Sequence, residues 1–198
     1  MTRKSVEFFF DVGSPTAYLA GTQLPAICAQ ADAELVYRPM LLGGVFQATG
    51  NVSPVTVAAK GHYMDLDMLR FAARYGVPLA KNPHFPINTL MLMRGAVGVQ
   101  LRMPERFDEY LRAVFNAMWV EPQNLNDPAT IARTLHRAGF DPAQLLALTA
   151  DPEIKAALRA TTEEAVARGA FGAPTTFVAG TMFFGQDRLD FVREALAA

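Results

Sequence analysis

A hydroxyl placed where a strand hands over to a helix is the first chemically suggestive feature of this chain. Val6-Glu7-Phe8-Phe9-Phe10 reads as a buried strand, Asp11-Val12-Gly13 as a tight turn, and Ser14-Pro15-Thr16-Ala17-Tyr18-Leu19 as the opening of a helix. Serine at an N-cap accepts from a free amide, and proline in the first turn forgoes an N–H that had no partner there. The Ser14 hydroxyl therefore stands at the positive end of a helix. A second element of interest lies near the other end of the chain, where Phe171-Gly172-Ala173-Pro174-Thr175-Thr176-Phe177-Val178 reads as an apolar strand entered through a proline. Each has a plain structural alternative: Ser14 as a simple cap, Pro174 as a simple strand-entry residue.

The rest of the reactive inventory is sparse. Cys28 is the single cysteine, so a disulfide framework, a Cys-x-x-Cys pair and a cysteine-based zinc site are excluded. It falls beside Leu24 and Ile27 and reads as a small core residue. His62 and His136 read as surface residues without a second histidine at ligand spacing, and no metal is expected. Lys and Arg are scattered singly and the net charge is −1, which argues against nucleic-acid and anionic-membrane partners. Met1-Thr2-Arg3-Lys4-Ser5 enters the first strand without the apolar stretch of a secretory signal, and no apolar run is long enough to span a bilayer. Cytoplasmic residence is the default expectation.

Certain elements must position these groups. With 198 residues, 51% of them hydrophobic, the chain suffices for one sizeable core or one domain with a large insertion. Val6 to Phe10, Pro15 to about Gln30 and Glu34 to Pro39 form a β-α-β unit, which favours a parallel pair with a right-handed crossover. From Lys60 to about Arg168 the pattern is helical. Asp127-Pro128, Asp141-Pro142 and Asp151-Pro152 each place a capping carboxylate before a first-turn proline. Leu66, Leu69, Phe71 and Ala72 recur at helical spacing before Gly76-Val77-Pro78 ends their element. Met64, Met68, Met91, Met93 and Met118 suit either an irregular helical core or an adaptable apolar pocket. The tail returns to strands: Thr175 to Ala179 and Met182 to Phe184 flank Gly180-Thr181 as a hairpin. A last helix follows from Arg188 to Ala197, with Asp187 at its cap and Asp190 three residues later in the manner of a capping box.

This order, a β-α-β unit first, two strands and a helix last, helices between, is that of an α/β thioredoxin-like fold with a large inserted all-helical domain. It assigns residues 1–42 and 169–198 to the thioredoxin-like domain and 43–168 to the insertion. The chain resembles the kappa-class glutathione transferases and, more closely, the bacterial 2-hydroxychromene-2-carboxylate isomerases, relatives of the disulfide oxidoreductases. The markers run the whole length: Phe10 to Leu19 (Phe-Asp-x-x-Ser-Pro-x-x-Tyr-Leu), Gly50-Asn51 with Pro54, Lys60-Gly61-x-Tyr63-Met64, Tyr75-Gly76-Val77-Pro78, Phe115-Asn116-Ala117-x-Trp119, Phe171-Gly172-x-Pro174-Thr175 and Phe184-Gly185-x-Asp187-Arg188. Each is weak alone, and their shared order is what makes them specific.

The resemblance implies glutathione as cofactor, because the disulfide oxidoreductases carry Cys-x-x-Cys where this chain has Ser14-Pro15-Thr16-Ala17. Ser14 then corresponds to the catalytic serine whose hydroxyl donates to the glutathione sulfur, with Pro15 and Thr16 beside it. Ala173 before a cis-Pro174 would offer its amide and carbonyl for strand-like pairing with the cysteinyl part of glutathione. Gln186 and Asp187 correspond to the γ-glutamyl end, and a carboxylate suits its ammonium. Asn51 approaches glutathione or substrate, and Lys60 corresponds to a cation near the reacting end. Asn88 is a further candidate for the substrate pocket, as are Phe46, Tyr63, His84, Phe85 and Trp119, for whose aromatic members core packing is the alternative. The implied activity is glutathione-dependent isomerisation of 2-hydroxychromene-2-carboxylate, a small aromatic keto-acid substrate of naphthalene breakdown, by a homodimer. A kappa-like transferase or peroxidase, or a glutathione-binding paralogue without isomerase activity, are the rivals.

Overall fold

The computed structural model describes residues 3–198; Met1 and Thr2, the first positions of the amino-terminal segment above, lie outside the described residues. The elements run β1 (Ser5–Phe10), α1 (Pro15–Gln30), β2 (Glu34–Pro39) and α2 (Leu42–Thr49), then α3 (Ala58–Tyr75), α4 (Leu90–Arg102) and α5 (Phe107–Trp119). There follow α6 (Pro128–Arg137), α7 (Pro142–Ala150), α8 (Pro152–Ala167), β3 (Thr175–Val178), β4 (Thr181–Phe184) and α9 (Leu189–Ala197). The sheet has the order β2-β1-β3-β4, with β1 parallel to β2 and antiparallel to β3, and β3 antiparallel to β4. With α2 to α8 entering between β2 and β3, this is the thioredoxin-like α/β fold carrying a helical insertion.

The unbroken Phe8-Phe9-Phe10 run follows from β1's central place, since a strand covered on both faces has no solvated side to alternate with. Phe8 and Phe10 point to one face and stack at 5.1 Å, in a core shared with Leu24 of α1 and Val192 of α9. Phe9 points to the other, edge-on to Phe177 at 5.5 Å, among Val45 of α2 and Ala165 of α8.

Local capping chemistry sets several boundaries as expected. Asp127, Asp141 and Asp151 accept from Ala129 N, Ala143 N and Glu153 N at 3.1, 2.9 and 2.8 Å, so α6, α7 and α8 each begin at the proline after the aspartate. Elsewhere the structure departs from expectation. α2 was not foreseen; its first-turn residue Leu42 has no local cap and donates instead to Asp11 Oδ2, 2.8 Å away. The hairpin turn is Ala179-Gly180, both at positive φ (48° and 83°), because Thr181 pairs with Val178 as the first residue of β4. That pair of left-handed residues is what a two-residue turn between twisted strands requires. On α3 only Ala72 is buried, while Leu66 and Leu69 are exposed despite their helical spacing.

Behind the sheet, Arg168 holds Glu7 through two bonds, Nη1 to Oε1 at 3.0 Å and Nη2 to Oε2 at 2.6 Å, and lies over the Phe177 ring at 3.8 Å. The Arg168 hydrogen bond holds the Glu7 carboxyl below its ordinary value of 4.5, against partial burial. A depressed folded pKa gives stability that is present above the unfolded value and lost as pH falls through the folded one. Glu7→Gln is therefore expected to lower stability by about 1 kcal/mol at neutral pH. The difference from the parent protein should vanish in acid, as read by denaturant unfolding across that range.

Candidate active site

Ser14 occupies the N-cap of α1, its Oγ accepting from Ala17 N at 3.1 Å while Pro15 fills the first turn. The same hydroxyl donates to Ala173 O at 2.9 Å, joining two segments 159 residues apart. Thr16 Oγ1 lies 3.1 Å from that carbonyl and 2.9 Å from Ser14 Oγ. The Ala173-Pro174 bond is cis. The Ala173 carbonyl, expected to lie open to a ligand, is thus engaged by two hydroxyls in this structure, whereas its N–H makes no hydrogen bond among the described residues.

The neighbouring segments converge on the same place. Asn51 Nδ2 donates to Phe171 O at 2.8 Å, and Gly185 N donates to Pro174 O at 3.0 Å, which brings Gln186 and Asp187 beside the proline loop. Gly172 lets the loop pass close to Phe184: a Cβ would sit 2.8 Å from its ring, which would have to shift. Tyr75 of α3 donates to Gln186 O at 2.6 Å, so the helical insertion grips this corner too. Gln186 is buried, its neighbour Asp187 exposed.

Two expected roles change. Asp187 does not cap the last helix, because a 3-10 turn over Gln186–Arg188 intervenes and α9 starts at Leu189 without a side-chain cap. Its carboxylate pairs with Arg188 at 2.5 Å, and Asp190 pairs with Arg193 rather than closing a capping box. Lys60 is exposed near the start of α3 and joins none of the hydrogen bonds above, and Asn88 is exposed with its Oδ1 accepting from Leu90 N at 3.1 Å. Of the aromatic candidates, Trp119 is buried and donates to Val12 O at 2.8 Å, holding the turn before Ser14. Met93 and Met118 are core residues, Met93 Sδ accepting from Val12 N at 3.4 Å.

Asp11 is the group that sequence reasoning missed. It is only 1% exposed, and its carboxylate accepts from Gly13 N (2.9 Å), Leu42 N (2.8 Å) and Thr89 Oγ1 (3.0 Å). One side chain thus ties the turn before Ser14 to the starts of α2 and α4. Burial pushes its carboxyl above the ordinary aspartate value in spite of those three donors. The available signal was an acid wedged between an apolar strand and a glycine turn, a position with little access to water.

Cys28 lies in the core and burial pushes its thiol up to about 11, far from any nucleophilic role. A cavity of about 510 Å³ opens between α1 and α5, lined by Tyr18, Thr22, Pro25, Tyr37 and Arg112; it begins one helical turn past Ser14 and does not include it.

A hydroxyl at the N-terminus of α1, facing the residue before a cis-proline that leads into β3, marks a thioredoxin-like arrangement, here in a chain without a cysteine pair. Residues 5–197 match the family model of the DSBA-like thioredoxin domain, and the chain belongs to that family. It is 30% identical to the 2-hydroxychromene-2-carboxylate isomerase of Sphingobium xenophagum over 98% of each chain. It is 31% identical to the human glutathione S-transferase kappa 1, covering 98% of this chain and 91% of that one. A solved structure of a 2-hydroxychromene-2-carboxylate isomerase superposes with a TM-score of 0.84 at 26% identity, covering 98% of this chain and 94% of that one. These relatives are an isomerase and a transferase, which supports an enzymatic role. No helix among the described residues is long and apolar enough to cross a membrane.

Proposed function

We infer that this chain is a glutathione-dependent isomerase converting 2-hydroxychromene-2-carboxylate to trans-o-hydroxybenzylidenepyruvate, acting as a cytoplasmic homodimer in aromatic catabolism. The observation that carries this reading is the meeting of Ser14 Oγ with Ala173 O at 2.9 Å at the positive end of α1, in a chain whose only thiol is buried. The residues suit glutathione. An unpaired Ala173 N–H beside a cis-proline offers strand-like pairing to a peptide, the Asp187 carboxylate suits an ammonium, and Ser14 supplies a hydroxyl for sulfur.

The chemistry supplied by glutathione is a thiolate that adds to the double bond of the ring-opened keto acid and is eliminated after rotation about the resulting single bond. Ser14 would donate a hydrogen bond to the sulfur while the α1 N-terminus would stabilise the negative charge. Ala173, Pro174, Asn51, Gln186 and Asp187 would hold the peptide. Lys60 and Asn88 would meet the substrate's carboxylate and phenolic oxygen.

Calorimetry with glutathione and an absorbance assay of isomerisation test the reading together. Binding, with turnover that requires glutathione but does not consume it, is the expected outcome. Stoichiometric consumption favours a kappa-like transferase or peroxidase, the second reading, which the similarity to the human kappa enzyme supports. Binding without turnover would leave a glutathione-binding paralogue.

A further inference from the structure

Ser14, Thr16 and the Ala173 carbonyl form a triangle with sides of 2.9, 2.9 and 3.1 Å. A serine and a threonine hydroxyl carry one proton each, and a carbonyl carries none. Two protons therefore serve three contacts, and one contact is always without a proton. Ser14 Oγ already accepts from Ala17 N, which fixes the oxygen and leaves its proton free only to rotate. Ala173 is buried, so its carbonyl must keep a donor through any rearrangement.

We propose that Thr16 is a positioning residue that holds the Ala173 carbonyl so that Ser14 can turn its proton toward a ligand sulfur. Without ligand, both hydroxyls point at the carbonyl. When an anionic sulfur arrives, Ser14 rotates about its Cβ–Oγ bond and donates to it, and the Thr16 proton keeps the carbonyl paired. No covalent bond changes, and no proton leaves its oxygen. A chain lacking the second hydroxyl would retain Ser14 on the carbonyl, in competition with the sulfur. The proposal rests on the glutathione reading above and adds a distinct role for one residue within it.

Thr16→Val keeps the β-branched shape and removes the proton; Thr16→Ser restores a proton in a smaller side chain. The measurement is an ultraviolet thiolate titration of glutathione bound to each variant, with calorimetry giving affinity. Thr16→Val is expected to raise the bound thiol's pKa by about one unit, a roughly tenfold fall in its ionisation constant equivalent to about 1.4 kcal/mol. Thr16→Ser should titrate within a few tenths of a unit of the parent protein. If Thr16→Val does not fold, Thr16→Ala is titrated in its place with the same expectation. A folded variant without the hydroxyl whose bound thiol titrates like the parent's overturns the role of Thr16 and leaves the glutathione reading standing. A parent protein that takes up no glutathione overturns both.

Discussion

Ser14→Ala is expected to cut isomerase turnover by about three- to twenty-five-fold at neutral pH while leaving glutathione binding measurable. A free thiol of pKa about 8.5 is only about 3% ionised at pH 7, and lowering that pKa by two units requires about 2.7 kcal/mol. A helix N-terminus gives about 0.3–1 kcal/mol, or about 2 when partly buried. A hydrogen bond to a charged group adds about 1.5–3. The helix end alone therefore falls short, and the hydroxyl makes up the difference, so its removal should raise the bound thiol's pKa by about one to two units. Ser14 also caps α1, so the variant should lose about 1 kcal/mol of stability as well. Turnover compared at neutral and alkaline pH separates the two effects: raising pH should restore the rate of the variant if ionisation is what it lacks.

Asp11→Ala is expected to have the largest structural effect of any single change near the site. It leaves the Gly13 and Leu42 amides, and the Thr89 hydroxyl, without their acceptor in a dry environment. At about 1–3 kcal/mol per orphaned donor, set against relief of a buried charge, stability should fall by about 2–4 kcal/mol. In a chain of this size that lowers Tm by about 10 °C. Asn does not repair it, because its amide would face an N–H at one of the two oxygen positions. The pH response has the opposite sign to that of Glu7. A carboxyl with a raised folded pKa contributes stability that is present below the ordinary value and lost as pH rises through the folded one. The gap between parent and Asp11→Ala should accordingly narrow as pH rises, whereas that of Glu7→Gln narrows in acid. Thermal melts of both variants over a pH series check the two signs.

What could be read from the sequence was local chemistry. Ser14-Pro15 and the three Asp-Pro pairs announce helix starts because cap and proline act within four residues, and the structure begins those helices where they say. The β-α-β unit and the central apolar strand follow from the same short-range logic. α2 was invisible because its start is capped from outside, by Asp11, across 31 residues. Asp11 itself was invisible because two of its three donors come from distant segments. Sequence spacing makes Asp187 a cap because it does not show the 3-10 turn inserted before α9. Leu66 and Leu69 have the spacing of a buried stripe, but periodicity states which residues share a face and not whether anything covers it. The approach of Ser14 to Ala173 spans 159 residues and followed only from resemblance.

The claim beneath the mechanism is that the helix end and the Ser14 hydroxyl ionise a thiol the chain does not itself possess. Ultraviolet titration of glutathione bound to the unaltered protein tests it most directly. The account predicts an apparent thiol pKa about two units below the free value of about 8.5. Bound glutathione that titrates like glutathione in water would contradict it.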